Sequence, residues 1–408
     1  MFLKEYLPNQ TQRKWFYFVM SVLFLFYPYI LVDAVLPFFK SDILQYFVFS
    51  ILLFSINIFK SKRANLPIAF WLVVTIMVIG SMVSFFVSGS KFYYHRLIYM
   101  FCSVNLIMIV QKQIGLVNFY RVYNRWILIM AALGVFGFLI AFVGVKPFFE
   151  FEALNDGRTV SSWIITFTKL DDFPVGSFIR YSGFFDEPGA IGYWGMFTLA
   201  INRLFIKDLK LEKILLVLLL FTFSMGFISQ AIFFVAFFYL IRGGGRNKII
   251  MGIILSILVV GVIATKNTQY SMIYDSTIGR FEEASKATEF MEGTTREFNT
   301  QLTKEEWERS PIWGIGWKID GPSLSDNAYE TLAHDGIVGT VYLYFPYILL
   351  LYLGIKRRDI DVIGVTIFCA LAIFHRPIHA NLLTYFIFYS LPAMYAMKTN
   401  LAVKNDNI

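Results

Sequence analysis

Apolar segments separated by short polar connections make up most of the chain, and their lengths predict its fold. A helix that crosses a bilayer needs about 20 apolar residues. Ten segments are close to that length: 15–38, 43–59, 66–88, 97–111, 126–145, 188–206, 249–265, 336–355, 360–375 and 381–397. Because backbone groups inside lipid must be bonded within the protein, we expect each segment to form a helix.

The apolar stretch 213–241 is too long for one membrane span and short for two. Small and polar residues interrupt its middle: Ser224, Gly226, Ser229 and Gln230. If the stretch crosses the membrane twice, most Lys and Arg residues of the connections fall on the side of the N-terminus, as expected for the cytoplasmic side. The pattern therefore predicts an all-α polytopic integral membrane protein with about twelve transmembrane helices and both termini in the cytoplasm.

Two polar interruptions are much longer than the other connections. We interpret residues 1–408 as a single membrane domain, in which 146–187 is a first large outer (periplasmic) loop and 266–332 is a second, partly helical one. Loops of this length are uncommon in compact domains and are usually functional. Candidate chemistry is therefore expected in these two loops.

Composition supports the membrane interpretation and excludes several other classes. The chain is 57% hydrophobic and 16% charged, whereas a soluble domain has about 25% charged residues. The net charge of +8 follows from basic cytoplasmic loops rather than from nucleic-acid binding. The two cysteines, Cys102 and Cys369, lie in apolar segments, so neither a disulfide framework nor a thiolate metal site is expected.

The first loop ends in Arg180-Tyr-Ser-Gly-Phe-Phe-Asp-Glu-Pro-Gly189, directly before an apolar segment. Asp186, Glu187 and Pro188 are typical of a helix start. Arg180 needs another explanation. It either clamps a lipid phosphate with its two-pronged guanidinium group or extends to the lipid headgroups without a specific partner.

The second loop changes character along its length. From Asp275 to Glu308 charges alternate and apolar residues recur at helical spacing, which predicts an amphipathic helix over the outer face. Most of these charges are interpreted as a solvated face. Arg280 and Arg296 are the exceptions that we select as candidate phosphate ligands.

The end of the second loop contains Ser310-Pro-Ile-Trp-Gly-Ile-Gly316, whose glycines permit close backbone approach. Trp317 either stacks on a sugar ring or lies in the aromatic belt of the membrane interface. Asp326 is predicted to cap a helix that starts near Asn327. His334 lies where this helix meets the apolar span, and histidine readily exchanges a proton near neutral pH, so His334 is a candidate general base.

A further polar cluster, His375-Arg-Pro-Ile-His379, follows another apolar segment. Two histidines four residues apart share a helix face, but Pro377 opposes a helix and no third ligand is evident. We therefore predict no metal site here and keep Arg376 as a candidate substrate-binding residue.

Three stretches resemble the O-antigen polymerase and ligase superfamily of bacterial envelope glycosyltransferases, as do the chain length, the span number and the two large loops. The stretches are Arg180-Tyr-Ser-Gly-Phe-Phe-Asp-Glu-Pro188, Thr222-Phe-Ser-Met-Gly226, and Pro311-Ile-Trp-Gly-Ile-Gly316 followed by Asp326-Asn327 and Gly336-Ile-Val-Gly339. The ligase pattern has a histidine where this chain has Ser325, which favours a polymerase over a ligase.

The resemblance implies an enzyme of the bacterial inner membrane that transfers a growing glycan from undecaprenyl diphosphate to a new lipid-linked repeat unit on the outer face. It implies no metal or other cofactor. Arg180 and Arg296 (or Arg280) would neutralise the diphosphate, and His334, or else Asp326 or Glu187, would be the base. The implied partners are the lipid-linked oligosaccharide, membrane lipid and a chain-length regulator protein, with no nucleic acid. An O-antigen ligase and a lipid-linked oligosaccharide flippase or transporter remain alternatives.

Overall fold

The structure is a computed structural model, and most of the residues that it describes are helical. The described residues are 2–25, 43–59, 64–90, 92–152, 159–163, 167–173, 176–183, 185, 188–242, 263, 264, 266, 274, 295–316, 329–375 and 381–406. The helices of the N-terminal part are α1 (Phe2–Tyr6), α2 (Gln10–Leu25), α3 (Ile43–Phe59), α4 (Ile68–Ser88), α5 (Phe92–Gln113) and α6 (Leu116–Phe142). The later helices are α7 (Pro188–Ile201), α8 (Leu209–Leu220), α9 (Met225–Val235), α10 (Thr295–Arg309), α11 (Glu330–Arg357), α12 (Ile360–His375) and α13 (Leu382–Asp406).

Among the residues that the structure describes, four helices are long and apolar enough to cross a membrane: α4, α5, α6 and α11. Shorter apolar helices lie within α3, within α12 and from Gly226 to Ile241. These helices confirm the prediction of a helical membrane protein. The number of twelve spans, the sides of the loops and the location of the termini stay predictions.

The first long loop contains a four-stranded antiparallel sheet that the all-α prediction did not include. Its strands are β1 (Phe149–Glu152), β2 (Thr159–Ser162), β3 (Phe167–Phe173) and β4 (Gly176–Gly183), in the order β1-β2-β3-β4. Each strand pairs with the next along the chain. The described part of this loop is therefore a folded element whose strands are joined by backbone hydrogen bonds.

The stretch 213–241 forms two helices, as its polar middle predicted. The first of the two helices, α8, ends at Leu220, and the second, α9, begins at Met225. Ser224 caps α9, because its hydroxyl accepts a hydrogen bond from the backbone N–H of Phe227 at 3.4 Å. Whether the two helices cross the membrane separately stays a prediction.

The chain divides into two compact units. The first contains residues 1–124, 204–207 and 296–408, and the second contains 125–203 and 208–295. In the first unit α5 packs against α2, α3, α4 and α13, while α11 packs against α4, α12 and α13. In the second unit β4, α8 and α9 pack around α7.

The fully buried carboxylate of Glu212 accepts hydrogen bonds from three other side chains of the second unit. One oxygen of Glu212 accepts hydrogen bonds from the Tyr239 hydroxyl at 2.6 Å and from Arg203 at 3.2 Å. Its other oxygen accepts one from Asn202 at 3.2 Å. Because the charge is paired and bonded on both oxygens, we interpret this cluster as a structural contact between α8 and the helical segments Asn202–Ile206 and Ala236–Ile241, which follow α7 and α9.

Candidate functional site

The most distinctive backbone feature of the first unit is a break inside α11 at Gly336. Its φ of 63° and ψ of −174° lie in a region that is essentially restricted to glycine. The break opens the helix to the loop segment 311–316, and four backbone hydrogen bonds join the two. These are Ile315 N–H to Ala333 O (2.8 Å), Gly316 N–H to His334 O (3.0 Å), Ile337 N–H to Pro311 O (2.9 Å) and Val338 N–H to Ile312 O (3.1 Å).

Glycine is required on both sides of this junction. A Cβ atom on Gly336 would overlap the carbonyl oxygen of Ile312, and one on Gly314 would overlap the carbonyl oxygen of His334. Gly314 and Gly316 also have positive φ angles of 75° and 72°. The close backbone approach that the sequence predicted for the glycines of this segment is therefore confirmed.

We expect Gly336→Ala to destabilise the protein by at least about 3 kcal/mol, because backbone strain and overpacking act together. Gly89→Ala is the matched control, since Gly89 has a φ of 68° but nothing lies within 4 Å of an added Cβ. The control should cost only about 1–2 kcal/mol of conformational strain. Thermal unfolding of both purified variants measures the difference, and equal losses would contradict the close approach at Gly336.

A buried ion pair holds the break against α5. The guanidinium group of Arg96 donates from Nη1 to Asp335 Oδ1 at 2.8 Å and from Nη2 to Oδ2 at 3.0 Å. The side chains of Arg96 and Asp335 are 3% and 0% exposed. The Tyr93 hydroxyl donates to Asp335 Oδ1 at 2.9 Å and approaches the carbonyl oxygen of His334 at 3.3 Å. Asp335 is thus a neutralised, hydrogen-bonded anchor rather than a proton acceptor.

His334 is buried, at 6% exposure, and its ring orientation is fixed by the neighbouring loop. Its Nδ1 atom lies 3.1 Å from the carbonyl oxygen of Gly316. A carbonyl oxygen only accepts hydrogen bonds, so Nδ1 must carry the proton in this contact. In the neutral ring the Nε2 atom then carries the lone pair. This is the tautomer that a general base acting through Nε2 needs.

Arg180 lies in the second unit, on β4, opposite Lys169 of β3. It is half-buried, whereas the next two residues, Tyr181 and Ser182, are fully buried. The ring of Tyr181 packs directly on Gly134 of α6, and its hydroxyl donates to the carbonyl oxygen of Leu218 at 2.8 Å. The backbone that carries Arg180 is therefore fixed to the helices of its own unit.

The structure describes three of the predicted site residues: His334, Arg180 and Arg296. The structure brings His334 together with Asp335, Arg96 and Tyr93 in the first unit, and it places Arg180 in the second. Arg296 is the second residue of α10, the described part of the predicted amphipathic helix. The remaining candidates lie outside the described residues: Glu187, Arg280, Trp317, Asp326 and Arg376.

Sequence reasoning missed two members of the cluster around Asp335. The predicted apolar segment 97–111 begins after Arg96, whereas α5 begins at Phe92, so that Arg96 lies inside this helix and is 2% exposed. Its pairing with Asp335 joins residues 239 positions apart, which no local pattern reveals. One available signal was the spacing of Tyr93 and Arg96, which places them on neighbouring positions of one helix face. In the described part of the chain, no group of three or more His, Cys, Asp or Glu residues could hold a metal ion.

Comparison with protein-family models finds no match for this chain, and comparison with curated proteins finds none either.

Proposed function

We propose that this protein is a polysaccharide repeat-unit polymerase of the bacterial inner membrane. In this proposal it transfers a growing glycan from undecaprenyl diphosphate to a new lipid-linked repeat unit on the outer face. Apolar helices long enough to cross a membrane support the location. The motifs of the two long loops, which resemble those of O-antigen polymerases, support the reaction class.

The observation that carries the proposal is the hydrogen bond between His334 Nδ1 and the Gly316 carbonyl oxygen. It leaves Nε2 as the proton-accepting atom of a histidine that belongs to the candidate membrane helix α11 and is bonded to the second long loop. Four backbone bonds and the Asp335–Arg96 pair hold the segment that carries His334. A base held this firmly needs little reorganisation during the reaction.

The proposed reaction is a direct transfer between two lipid-linked sugars. A hydroxyl oxygen of the acceptor unit attacks the anomeric carbon of the donor chain and forms the new glycosidic bond. The bond between that carbon and the diphosphate oxygen breaks, and undecaprenyl diphosphate leaves with the electron pair. His334 Nε2 takes the proton of the acceptor hydroxyl.

Arginine side chains are proposed to stabilise the charge that develops on the leaving diphosphate. A guanidinium group binds phosphate oxygens through two parallel hydrogen bonds and stays charged at any physiological pH. Arg180 is the first candidate, because it lies at the end of the first loop on a strand fixed by Tyr181. Arg296, on the charged helix α10, is the second.

One observation favours a different class, a transporter of lipid-linked oligosaccharides. Charged residues inside membrane helices often mark transport pathways, and Arg96 and Asp335 both lie in helices that could cross a membrane. Their pairing is bidentate and buried, which instead fits a structural role. We therefore rank the polymerase above the transporter.

Deletion of the gene in the parent bacterium tests the function. For a polymerase we expect surface glycans of one repeat unit and a complete loss of long chains, with recovery when the wild-type chain is supplied. Repeat units that accumulate on the cytoplasmic face would indicate a transporter. Long chains retained on undecaprenyl diphosphate would indicate a ligase. Normal chain length would contradict the proposal.

A further inference from the structure

The C-terminal part of α11 carries an exposed apolar face that ends at a cation. Ile348, Tyr352 and Ile355 are spaced three or four residues apart, so they share one face of this candidate membrane helix. They are 45%, 57% and 59% exposed. Lys356 follows Tyr352 by four residues and continues the same face, and its ammonium nitrogen lies 5.9 Å from the centre of the Tyr352 ring.

Two further cations follow Lys356 directly. Arg357 is the last residue of α11, and Arg358 is the residue that caps it. All three cations are exposed. Among the residues that the structure describes, none of the three forms an ion pair with a carboxylate. Positive charge is favourable at the C-terminal end of a helix dipole, which accounts for Lys356 and Arg357.

The helix dipole does not account for the backbone conformation of Arg358. This residue is left-handed, with a φ of 55° and a ψ of 31°. Glycine is the usual residue at such a helix end, because a side chain adds strain in this conformation. The chain therefore places an exposed guanidinium group at the end of α11 at a cost in conformational energy.

The acidic neighbour of Arg358 is engaged elsewhere. One oxygen of Asp359 accepts a hydrogen bond from the backbone N–H of Val362 at 3.2 Å, and the other accepts one from the Tyr395 hydroxyl at 3.3 Å. The guanidinium group of Arg357 lies 5.5 Å from the centre of the Tyr395 ring. These contacts fix the turn between α11 and α12 against α13. The charge of Arg358 is therefore available to a ligand.

We propose that the C-terminal end of α11 binds an anionic phospholipid. Its acyl chains lie along Ile348, Tyr352 and Ile355, and its phosphate oxygens accept hydrogen bonds from Lys356 and Arg358. A guanidinium group binds two phosphate oxygens in parallel. The occupant is a lipid rather than a phosphate ion, because the cations continue an exposed apolar face. This site goes beyond the proposed function, and glycan transfer has no part in it.

Lys207 is the matched control for Arg358. It is also an exposed cation with a left-handed backbone, at a φ of 62°. It belongs to the first unit and lies near the same end of α13, because Lys398, one turn after Tyr395, donates to the carbonyl oxygen of Leu204 at 3.2 Å. A general attraction of anionic lipid to basic residues would involve Lys207 and Arg358 equally, whereas the proposed site includes only Arg358.

Thermal unfolding of the purified chain in a neutral detergent tests the site. Each protein is measured with added phosphatidylglycerol, phosphatidylcholine or inorganic phosphate. A ligand that binds only the folded state stabilises it, so phosphatidylglycerol should raise the midpoint of unfolding (Tm) of the wild type by about 3 °C at a lipid concentration near a hundred times the Kd. Neither phosphatidylcholine nor inorganic phosphate should raise it.

Arg358→Gly should lose at least half of this rise, and Lys207→Gly should retain it. Both variants replace a left-handed residue by glycine, so neither should unfold at a lower temperature than the wild type in phosphatidylcholine. Native mass spectrometry should show a Kd for phosphatidylglycerol at least about tenfold higher in Arg358→Gly than in Lys207→Gly. Lys356→Gln, which leaves the helix backbone unchanged, is a second variant that should also reduce the rise.

Three results would overturn the site. Equal losses in Arg358→Gly and Lys207→Gly would show a general attraction to basic residues. An equal rise with phosphatidylcholine or with inorganic phosphate would show that the anionic lipid is not the specific ligand. A wild-type Tm that phosphatidylglycerol does not raise would reject the site outright. None of these outcomes depends on polymerase activity.

Discussion

His334→Gln is expected to slow glycosidic bond formation by about 10²–10⁴-fold, the range typical of a lost general base. Glutamine is similar in size to histidine, but its amide does not accept a proton near neutral pH. The rate is measured with the purified protein in vesicles, as elongation of a lipid-linked repeat unit per unit time. The amount of folded protein in the vesicles should be unchanged.

His95→Gln is the matched control for that experiment. His95 is a half-buried histidine of α5, and the proposed mechanism assigns it no role. We expect its rate to stay within a factor of about three of the wild-type rate, as for substitutions away from reacting groups. A His334→Gln variant as active as His95→Gln would remove His334 from the mechanism and return the role of base to Asp326 or Glu187.

Asp335→Asn is expected to lower the free energy of unfolding by about 3–5 kcal/mol, the usual cost of leaving one charge of a buried pair without its partner. Asparagine has the same shape as aspartate, so the loss reports mainly the uncompensated guanidinium of Arg96. The double variant Arg96→Met, Asp335→Asn removes both charges and should recover most of the loss. Thermal or denaturant unfolding in detergent measures all three proteins.

An exposed ion pair of the first unit provides the control for Asp335→Asn. Glu308 lies 4.0 Å from Lys304 on α10, and the two side chains are 62% and 52% exposed. Glu308→Gln should change stability by no more than about 0.5 kcal/mol. If Asp335→Asn cost no more than this control, the pair with Arg96 would not be the anchor of the α11 break.

Local patterns in the sequence predicted much of the helical structure. The predicted segments 43–59 and 360–375 coincide with α3 and α12, because mainly apolar runs are bounded there by charged connections. The polar residues around Ser224 correctly marked a helix break. The glycines of 311–316 correctly marked a close backbone approach, because only glycine leaves room for it.

Other features depend on information that local patterns do not contain. The four-stranded sheet was missed because its strands were treated as a polar loop, although the alternation Phe149-Glu-Phe-Glu152 is typical of a strand. The ion pair of Arg96 with Asp335 arises from the packing of α5 near α11, so it follows from the tertiary fold. For the same reason the sequence placed His334 at a helix junction but did not reveal the Gly316 contact that selects its tautomer.

The most direct measurement of the central claim is reconstitution of the purified chain in vesicles that contain a synthetic undecaprenyl-diphosphate-linked repeat unit. A polymerase should convert this single substrate into a ladder of longer lipid-linked glycans, with one undecaprenyl diphosphate released for each new bond. Failure of the folded protein to elongate the repeat unit that its own bacterium makes would contradict the proposed function.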